Sequence, residues 1–205
     1  MAIIKIVTHF GDLVVVLPLA LAALLWLAHI GSKHLIFYWV ASLLTCTLIT
    51  IALKMYFLSC PGGHFDLRSP SGHSSLSILV YGALGTIAAK GAGKVKRLVV
   101  IGVIAALVIA IAVSRSILGA HTAPEIIAGL VIGGLALIPF SQAYLRIQAV
   151  KLAPIHLLAI LTIVPFAATV ESPDTEKILG RAAAQLQEIA PMCQKEAGAS
   201  DELAQ

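Results

Sequence analysis

The stretch Arg68-Ser69-Pro70-Ser71-Gly72-His73 separates two apolar runs and marks where one apolar segment ends and the next begins. A second polar stretch, residues 114–125, does the same further along the chain. Each stretch carries an arginine and a histidine beside segments that are apolar enough to lie in a membrane. Ionisable side chains in such positions are costly and usually mark functional sites.

The composition predicts an integral membrane protein. Of the 205 residues, 59% are hydrophobic and only 12% are charged, whereas about a quarter of the residues of a soluble domain are charged. A membrane-spanning helix needs about 17–25 apolar residues. Six segments approach this length: 11–30, 35–53, 73–89, 98–118, 123–144 and 153–170. We therefore predict an all-α fold, a polytopic membrane helix bundle with about six transmembrane helices.

The charge distribution divides the chain into two parts. Residues 1–170 hold 11 Lys+Arg and 3 Asp+Glu, whereas residues 171–205 hold 3 and 7. We predict a membrane domain over 1–170 and an acidic, partly helical tail over 171–205 with a short extramembrane helix. In a membrane protein, an excess of basic residues such as that of the first part is typical of cytoplasmic loops and of contacts with lipid headgroups. We expect membrane lipids as partners and no nucleic acid.

Basic residues in the short loops predict the orientation. Lys33 follows the first segment, four basic residues lie between the third and fourth segments, and Arg146 and Lys151 follow the fifth. Because positively charged loops tend to stay in the cytoplasm, both polar stretches fall on the other face. We expect a multi-pass protein of a bacterial inner membrane with its site on the periplasmic face.

The three cysteines show no metal-ligand spacing. Cys46 lies in the middle of the second apolar segment and is expected to be a small core residue. Cys60 and Cys193 fall on the same side of the membrane. A disulfide between them is one alternative, and two unpaired thiols are the other. Unpaired thiols fit the polar end of the tail better.

The first polar stretch predicts an anion site. Ser71 is a good N-cap, and Gly72 and His73 begin the helix that the third apolar segment forms. Free N–H groups and the helix dipole attract anions there, and Gly72 allows an anion to approach the backbone closely. His73 can donate or accept a proton near neutral pH. A capped helix start with an interfacial histidine explains the stretch equally well by itself.

The second stretch favours the functional interpretation. Arg115 lies near the end of an apolar run, where its planar guanidinium suits a phosphate. Residues 122–125 form a capping-box pattern with proline in the first turn, which by itself accounts for Glu125. In the functional interpretation Glu125 also accepts an N–H from His121 and fixes the tautomer of that ring. We expect its two carboxylate oxygens to divide these duties.

Pro70-Ser71-Gly72-His73, then Ser114-Arg115, five residues, His121, three residues and an acid together resemble the motifs of one known family. It is the type 2 phosphatidic acid phosphatase (PAP2) family, also called the lipid phosphate phosphatases and related to the vanadium haloperoxidases. The resemblance covers residues 54–125 by motif and most of the six-helix body by architecture. It implies a phosphatase that needs no metal and no cofactor and works through a phosphohistidine.

The resemblance also implies a role for each matching residue. His121 would attack phosphorus, His73 would protonate the leaving group, and Glu125 would orient His121. Three groups would hold the phosphoryl oxygens: Arg115, Ser71 and Gly72. The family's third motif usually ends in aspartate, so Glu125 is one methylene longer and is expected to keep the role with a slightly altered geometry.

The family's first motif is only partly present. That motif is a lysine, six residues and then Arg-Pro, whereas here Lys54 is followed after six residues by Pro61 without the arginine. Lys54 still fits the phosphate contact. Arg68 is the candidate for the missing second cation, although a solvated loop charge explains it equally well.

These observations favour a membrane phosphatase that hydrolyses phosphomonoester or diphosphate groups of lipids such as phosphatidic acid or a polyprenyl diphosphate. The incomplete first motif keeps a second hypothesis open, a non-catalytic protein that binds or transports phosphorylated lipid. A metal site built from His64, His73 and His121 is a weaker alternative, because their separation gives no local ligand pair and the nearby cations repel a metal. The oligomeric state is not indicated by the sequence.

Overall fold

The structure is a computed structural model that describes residues 1–59, 69–148, 178–182 and 184–185. The described residues contain no strand, and six helices follow one another: α1 (Ala2–His9), α2 (Leu13–His29), α3 (Lys33–Ser59), α4 (Gly72–Ala89), α5 (Lys94–Ile117) and α6 (Ala123–Arg146). Residues 178–182 and 184–185 are also helical, in agreement with the predicted tail helix. The predicted all-α helical bundle is confirmed.

Four segments of the described chain are long and apolar enough to cross a membrane: Ile3–His29, Lys33–Leu58, Lys94–Ile117 and Ala123–Arg146. They correspond to the first, second, fourth and fifth of the six predicted segments, with ends that agree to one residue for 11–30 at its C-terminus and for 98–118 at its C-terminus. The third predicted segment forms α4, which is not among the four. The sixth, 153–170, lies outside the described residues, as does the predicted domain boundary at 170.

The central position of α4 explains why its sequence is less apolar than those of the four segments. It packs against α2, α3, α5 and α6, and three of its serines are fully buried, Ser74, Ser75 and Ser77. A helix that other helices surround faces protein and not lipid, so its polar side chains can be bonded inside the bundle. The interior position of α4 therefore explains why this helix is not among the four segments.

Two glycines bring α6 very close to α4. A Cβ atom at Gly133 would lie 2.0 Å from the backbone oxygen of Ser75, and one at Gly129 would lie 2.4 Å from that of Ser71. These glycines lie one helical turn apart on the same face of α6. Small residues at this spacing let two membrane helices approach backbone to backbone. The contact holds the first turns of α4 and α6 side by side.

An aromatic cluster joins α6 to α2 and α3. The rings of Trp39 and Phe140 are 5.1 Å apart, and Tyr144 lies 5.9 Å from both Phe140 and Trp26. The Trp39 indole N–H donates a hydrogen bond of 3.1 Å to the backbone oxygen of Ala20, as a buried indole usually requires. This cluster lies toward the end of α6, away from its first turn.

The N-terminal residues form a separate short helix that the sequence analysis did not predict. The helix α1 packs against α5, and a turn through Gly11 and Asp12 leads into α2. The Tyr81 hydroxyl of α4 donates a hydrogen bond of 2.7 Å to the backbone oxygen of Phe10. The turn is therefore fixed to the central helix.

Candidate functional site

The start of α4 is a capped helix end, as the sequence indicated. Ser71 is fully buried in the N-cap position, and its hydroxyl accepts hydrogen bonds from the Ser74 backbone N–H at 3.4 Å and from the Ser74 hydroxyl at 3.0 Å. The Ser71 backbone N–H donates to the backbone oxygen of Glu125 at 3.0 Å. The first turn of α4 is thus bonded directly to the first turn of α6.

Glu125 is the centre of a buried hydrogen-bond network. Its Oε1 atom accepts from the backbone N–H of Ser69 at 3.0 Å. Its Oε2 atom lies 3.0 Å from Nδ1 of His121 and also accepts from the backbone N–H of Thr122 at 3.0 Å. Thr122 and Glu125 form the predicted capping box of α6. One carboxylate therefore connects the approach to α4, the cap of α6 and the His121 ring.

This arrangement corrects one expectation from the sequence. The two carboxylate oxygens of Glu125 do not divide the histidine contact and the helix cap between them, because Oε2 serves both. A carboxylate oxygen has two lone pairs and can accept two hydrogen bonds. The other oxygen is thereby available to hold Ser69, a contact with a residue far away in the chain that local spacing could not indicate.

The His121–Glu125 pair is almost fully removed from solvent. The side chains are 2% and 5% exposed. A carboxylate bonded to Nδ1–H leaves Nε2 of the neutral ring as the basic, nucleophilic nitrogen. The low dielectric of such a site strengthens every electrostatic contact that the ring makes. The pair has the geometry of an oriented histidine base or nucleophile.

Arg115 and His73 lie at the same end of the bundle as this pair. Arg115 occupies the last turn of α5, and its Nη1 atom donates to the Thr8 hydroxyl at 3.3 Å. The backbone N–H of His121 donates to the backbone oxygen of Arg115 at 3.3 Å, so the end of α5 lies beside the start of α6. These cationic and titratable groups therefore surround one region beside the first turn of α4, where an anion would be attracted.

His73 has a carboxylate partner that the sequence analysis missed. Its Nε2 atom lies 2.5 Å from Oδ1 of Asp12, and the other oxygen of Asp12 lies 2.6 Å from Nδ1 of His9. Asp12 precedes α2 and is one of only three acidic residues in 1–170. That isolation was the available signal, because an acid in an apolar N-terminal run needs a partner.

The remaining predicted phosphate ligands are placed as follows. Lys54 is buried on α3, one turn beyond Thr50, whose hydroxyl donates to the Ser75 hydroxyl at 3.2 Å. Since α3 and α4 are consecutive and antiparallel, this turn brings Lys54 to the level of the start of α4. A Cβ atom at Gly72 would meet no atom within 4 Å, so there is open space beside Gly72 at the start of α4.

Several predicted residues lie outside the part of the chain that the structure describes. They are Arg68, His64, Cys60 and Cys193. The predictions that concern them, including the second cation, the disulfide and the alternative metal site, stay predictions. Cys46 is buried in the core as expected. The described residues contain no group of three or more His, Cys, Asp and Glu side chains that could hold a metal ion.

The fold and the geometry define a class of protein: an all-α bundle with four segments long and apolar enough to cross a membrane, and with two histidines, an arginine and a lysine toward one end of the bundle. The family model of the PAP2 superfamily matches residues 35–149, which is more than half of the chain and contains both motifs. The chain belongs to the PAP2 superfamily, which confirms the resemblance and implies a phosphatase-type activity on phosphate esters. No curated protein and no solved structure shows a significant match.

Proposed function

We propose that this protein is a membrane phosphatase that hydrolyses the phosphomonoester or diphosphate group of a lipid through a phosphohistidine at His121. The observation that carries the proposal is the buried pair of His121 and Glu125, joined at 3.0 Å at the start of α6. In the proposed reaction the bond from Nδ1 of His121 to Glu125 leaves Nε2 as the nitrogen that attacks the phosphoryl group.

The first step of the proposed reaction transfers the phosphoryl group to the protein. Nε2 of His121 attacks phosphorus, the bond between phosphorus and the leaving oxygen breaks, and His73 gives its proton to that oxygen. Glu125 accepts the Nδ1–H bond of His121 and stabilises the positive charge that develops on the ring. The released product is the dephosphorylated lipid or the lipid monophosphate.

The second step restores the protein. A water molecule gives a proton to His73, its oxygen attacks phosphorus, and the bond between phosphorus and Nε2 of His121 breaks. Inorganic phosphate leaves, and both histidines regain their starting protonation states. Positioning and charge neutralisation supply most of the catalysis in phosphoryl transfer. We assign these tasks to Arg115, Ser71, Gly72, Lys54 and Arg68.

A lipid substrate is favoured by the position of the site at the ends of helices that are long enough to cross a membrane. A headgroup at that level would reach the site while the acyl or prenyl chain stays in the bilayer. We propose the non-cytoplasmic face, because the loops with Lys33, with residues 90–97 and with Arg146 lie at the other end of the bundle. Four lipid classes fit: phosphatidic acid, phosphatidylglycerol phosphate, polyprenyl diphosphates and lipid A phosphates.

The test is phosphate release by the purified protein in detergent. Each of the four lipid classes is assayed with and without a metal chelator, and at least one should release phosphate equally under both conditions. His121→Ala should abolish release while the thermal melting profile stays close to that of the wild type. Retained release in His121→Ala contradicts the proposed nucleophile.

A second candidate function is the binding or transport of phosphorylated lipid without hydrolysis. The absence of an arginine before Pro61 favours it, since one cation of the family's first motif is missing. Only the phosphatase reaction forms a covalent bond between phosphorus and His121. Brief incubation with ³²P-labelled lipid, followed by denaturation in alkali, should retain label on the wild type and not on His121→Ala. An unlabelled wild type that still binds the lipid supports the second function.

A further inference from the structure

The carboxylate of Asp12 holds the second histidine of the site from outside the motif region. Its Oδ1 atom lies 2.5 Å from Nε2 of His73, although 61 residues separate the two in the chain. Its Oδ2 atom lies 2.6 Å from Nδ1 of His9. Asp12 is 9% exposed and lies before the region 35–149 that the family model matches. The motifs therefore do not account for this contact.

The turn around Asp12 also determines which edge of the His73 ring faces the site. A Cβ atom at Gly11 would lie 3.2 Å from Cδ2 of His73. Since Cδ2 and Nε2 are adjacent ring atoms, the Cδ2–Nε2 edge faces the turn of Gly11 and Asp12. The opposite edge, which carries Nδ1, is turned away from the turn. Nδ1 is thus the nitrogen placed to exchange a proton with a substrate.

Contacts with two neighbouring helices hold this turn in place. The Tyr81 hydroxyl of α4 bonds to the backbone oxygen of Phe10 at 2.7 Å, and Arg115 of α5 bonds to the Thr8 hydroxyl at 3.3 Å. Within the turn, the backbone N–H of Asp12 donates to His9 at 3.0 Å. A carboxylate on such a fixed turn can orient its partner without a large entropic cost.

We propose that Asp12 is a positioning residue of the phosphatase reaction, which orients the His73 ring and favours its protonated form so that Nδ1–H can be given to the leaving oxygen. The proposal rests on the proposed function. Burial and the neighbouring Arg115 and His121 disfavour the charged form of the His73 ring, and the Asp12 carboxylate in contact with the ring opposes them. Asp12 acts through His73 and does not touch the phosphate, because two anions in contact would repel each other.

A role in capping α2 does not explain this contact. Asp12 occupies the N-cap position of α2, but its side chain makes no cap hydrogen bond there. Its carboxylate oxygens are directed to the two histidines instead. Asparagine is as good an N-cap residue as aspartate, so Asp12→Asn removes the charge and leaves the tendency of α2 to begin at this position.

The pH profile of phosphate release tests the proposal. Asp12→Asn should lower kcat by about 10- to 100-fold, as is typical of residues that orient a reacting group, with KM changed by less than about threefold. Because a proton donor must be protonated, the basic limb of the kcat/KM profile should move to lower pH by about one unit or more. Asp12→Glu retains the charge, so its basic limb should stay near that of the wild type.

The ionisation of His73 can be measured without turnover. In protein labelled with ¹⁵N-histidine, the ring signals of His73 are identified by their loss in His73→Gln, and their titration midpoint is compared in the wild type and Asp12→Asn. We expect the midpoint to fall in Asp12→Asn. An unchanged midpoint overturns the proposal, whether or not the wild type releases phosphate.

The outcomes separate this proposal from the proposed function. Phosphate release by the wild type with an unchanged kcat and pH profile in Asp12→Asn overturns the role of Asp12 alone. A wild type that releases no phosphate from any of the four lipid classes overturns the function, while the His73 titration still decides the contact. If Asp12→Asn does not fold, Asp12→Ser replaces it, because serine is also a good N-cap residue without a charge, and an unchanged kcat and pH profile in that variant contradicts the positioning role.

Discussion

At each end of the α4–α6 pair, one charged side chain joins the two helices, but the consequences differ between the two ends. At the site end, the carboxylate of Glu125 accepts a hydrogen bond from Ser69 just before α4, and the backbone oxygen of Glu125 holds Ser71. At the far end, Nζ of Lys90, the C-cap residue of α4, donates to the backbone oxygens of Tyr144 and Ile147. Each end uses one charged side chain to bond the backbone of the neighbouring helix.

The difference lies in what else the charged group does. The Lys90 ammonium caps the last carbonyls of α6 and lies 4.7 Å from the centre of the Tyr144 ring, contacts that only stabilise the helix end. Glu125 also bonds the ring of His121. The same kind of contact is thus structural at one end and both structural and chemical at the other. Stability and activity should therefore respond together at one end and separately at the other.

The largest effect is expected from Glu125→Gln. The amide oxygen can replace only one carboxylate oxygen, so an NH₂ group must face either the Ser69 N–H or the donors at Thr122 and His121. We expect phosphate release to fall by about 100-fold and the free energy of unfolding to fall by about 1–3 kcal/mol. Assays of release and thermal melting in the same detergent measure both losses.

Glu125→Asp is the matched variant at this position. It keeps the charge and restores the family's usual acid, but its carboxylate is one methylene further from its partners. We expect a smaller loss of activity than in Glu125→Gln. Equal activity in Glu125→Gln and the wild type would contradict the assignment of Glu125 to His121.

The middle of the pair should control whether the two ends stay in register. In Gly133→Ala the new methyl group would lie 2.0 Å from the backbone oxygen of Ser75, so α4 and α6 must separate. We expect a loss of about 1–3 kcal/mol in stability, as for other overpacked sites, and a loss of activity. Gly134→Ala is the control, because its nearest contact would be an ordinary 3.7 Å to Ile78. Equal melting temperatures for the two variants would contradict the close packing.

The far end is tested by Lys90→Met. Methionine keeps the apolar stem of the side chain and removes the ammonium that bonds Tyr144 and Ile147. We expect a loss of about 1 kcal/mol in stability, while phosphate release per folded molecule stays within about twofold of the wild type. A large loss of activity at an unchanged melting temperature would mean that the two ends of the pair are coupled.

The parts of the site that the sequence predicted are those that depend on local spacing. The N-cap at Ser71, the capping box at Thr122 and the contact of His121 with Glu125 all join residues within one helical turn. Such pairs meet whenever the helix forms, so their spacing in the sequence is sufficient. The helices α2 to α6 were predictable from segment length and apolar composition, whereas the short α1 was not.

The parts that the sequence did not predict depend on how the helices pack. Asp12 meets His73 only because the turn after α1 is held against α4, and Glu125 meets Ser69 only because Gly129 and Gly133 bring α6 to α4. The central position of α4 also follows from packing against α2, α3, α5 and α6. No spacing rule within one segment indicates it.

The smallest effect is expected where the site end meets open space. Gly72 and Gly93 begin α4 and precede α5 at opposite ends of the bundle, and a Cβ atom at either would meet no atom within 4 Å. Neither alanine variant should therefore lose more than a few tenths of a kcal/mol in stability.

The two variants should differ in substrate binding. If an anion approaches the α4 backbone, only Gly72→Ala places a methyl group against it. The backbone N–H of residue 72 can still donate, so the effect on binding should be small. We expect KM to rise about threefold in Gly72→Ala, equivalent to about 0.6 kcal/mol, and to stay unchanged in Gly93→Ala. Equal KM values for both variants would show that the phosphoryl group binds away from Gly72, and would leave Arg115 and Lys54 as its principal ligands.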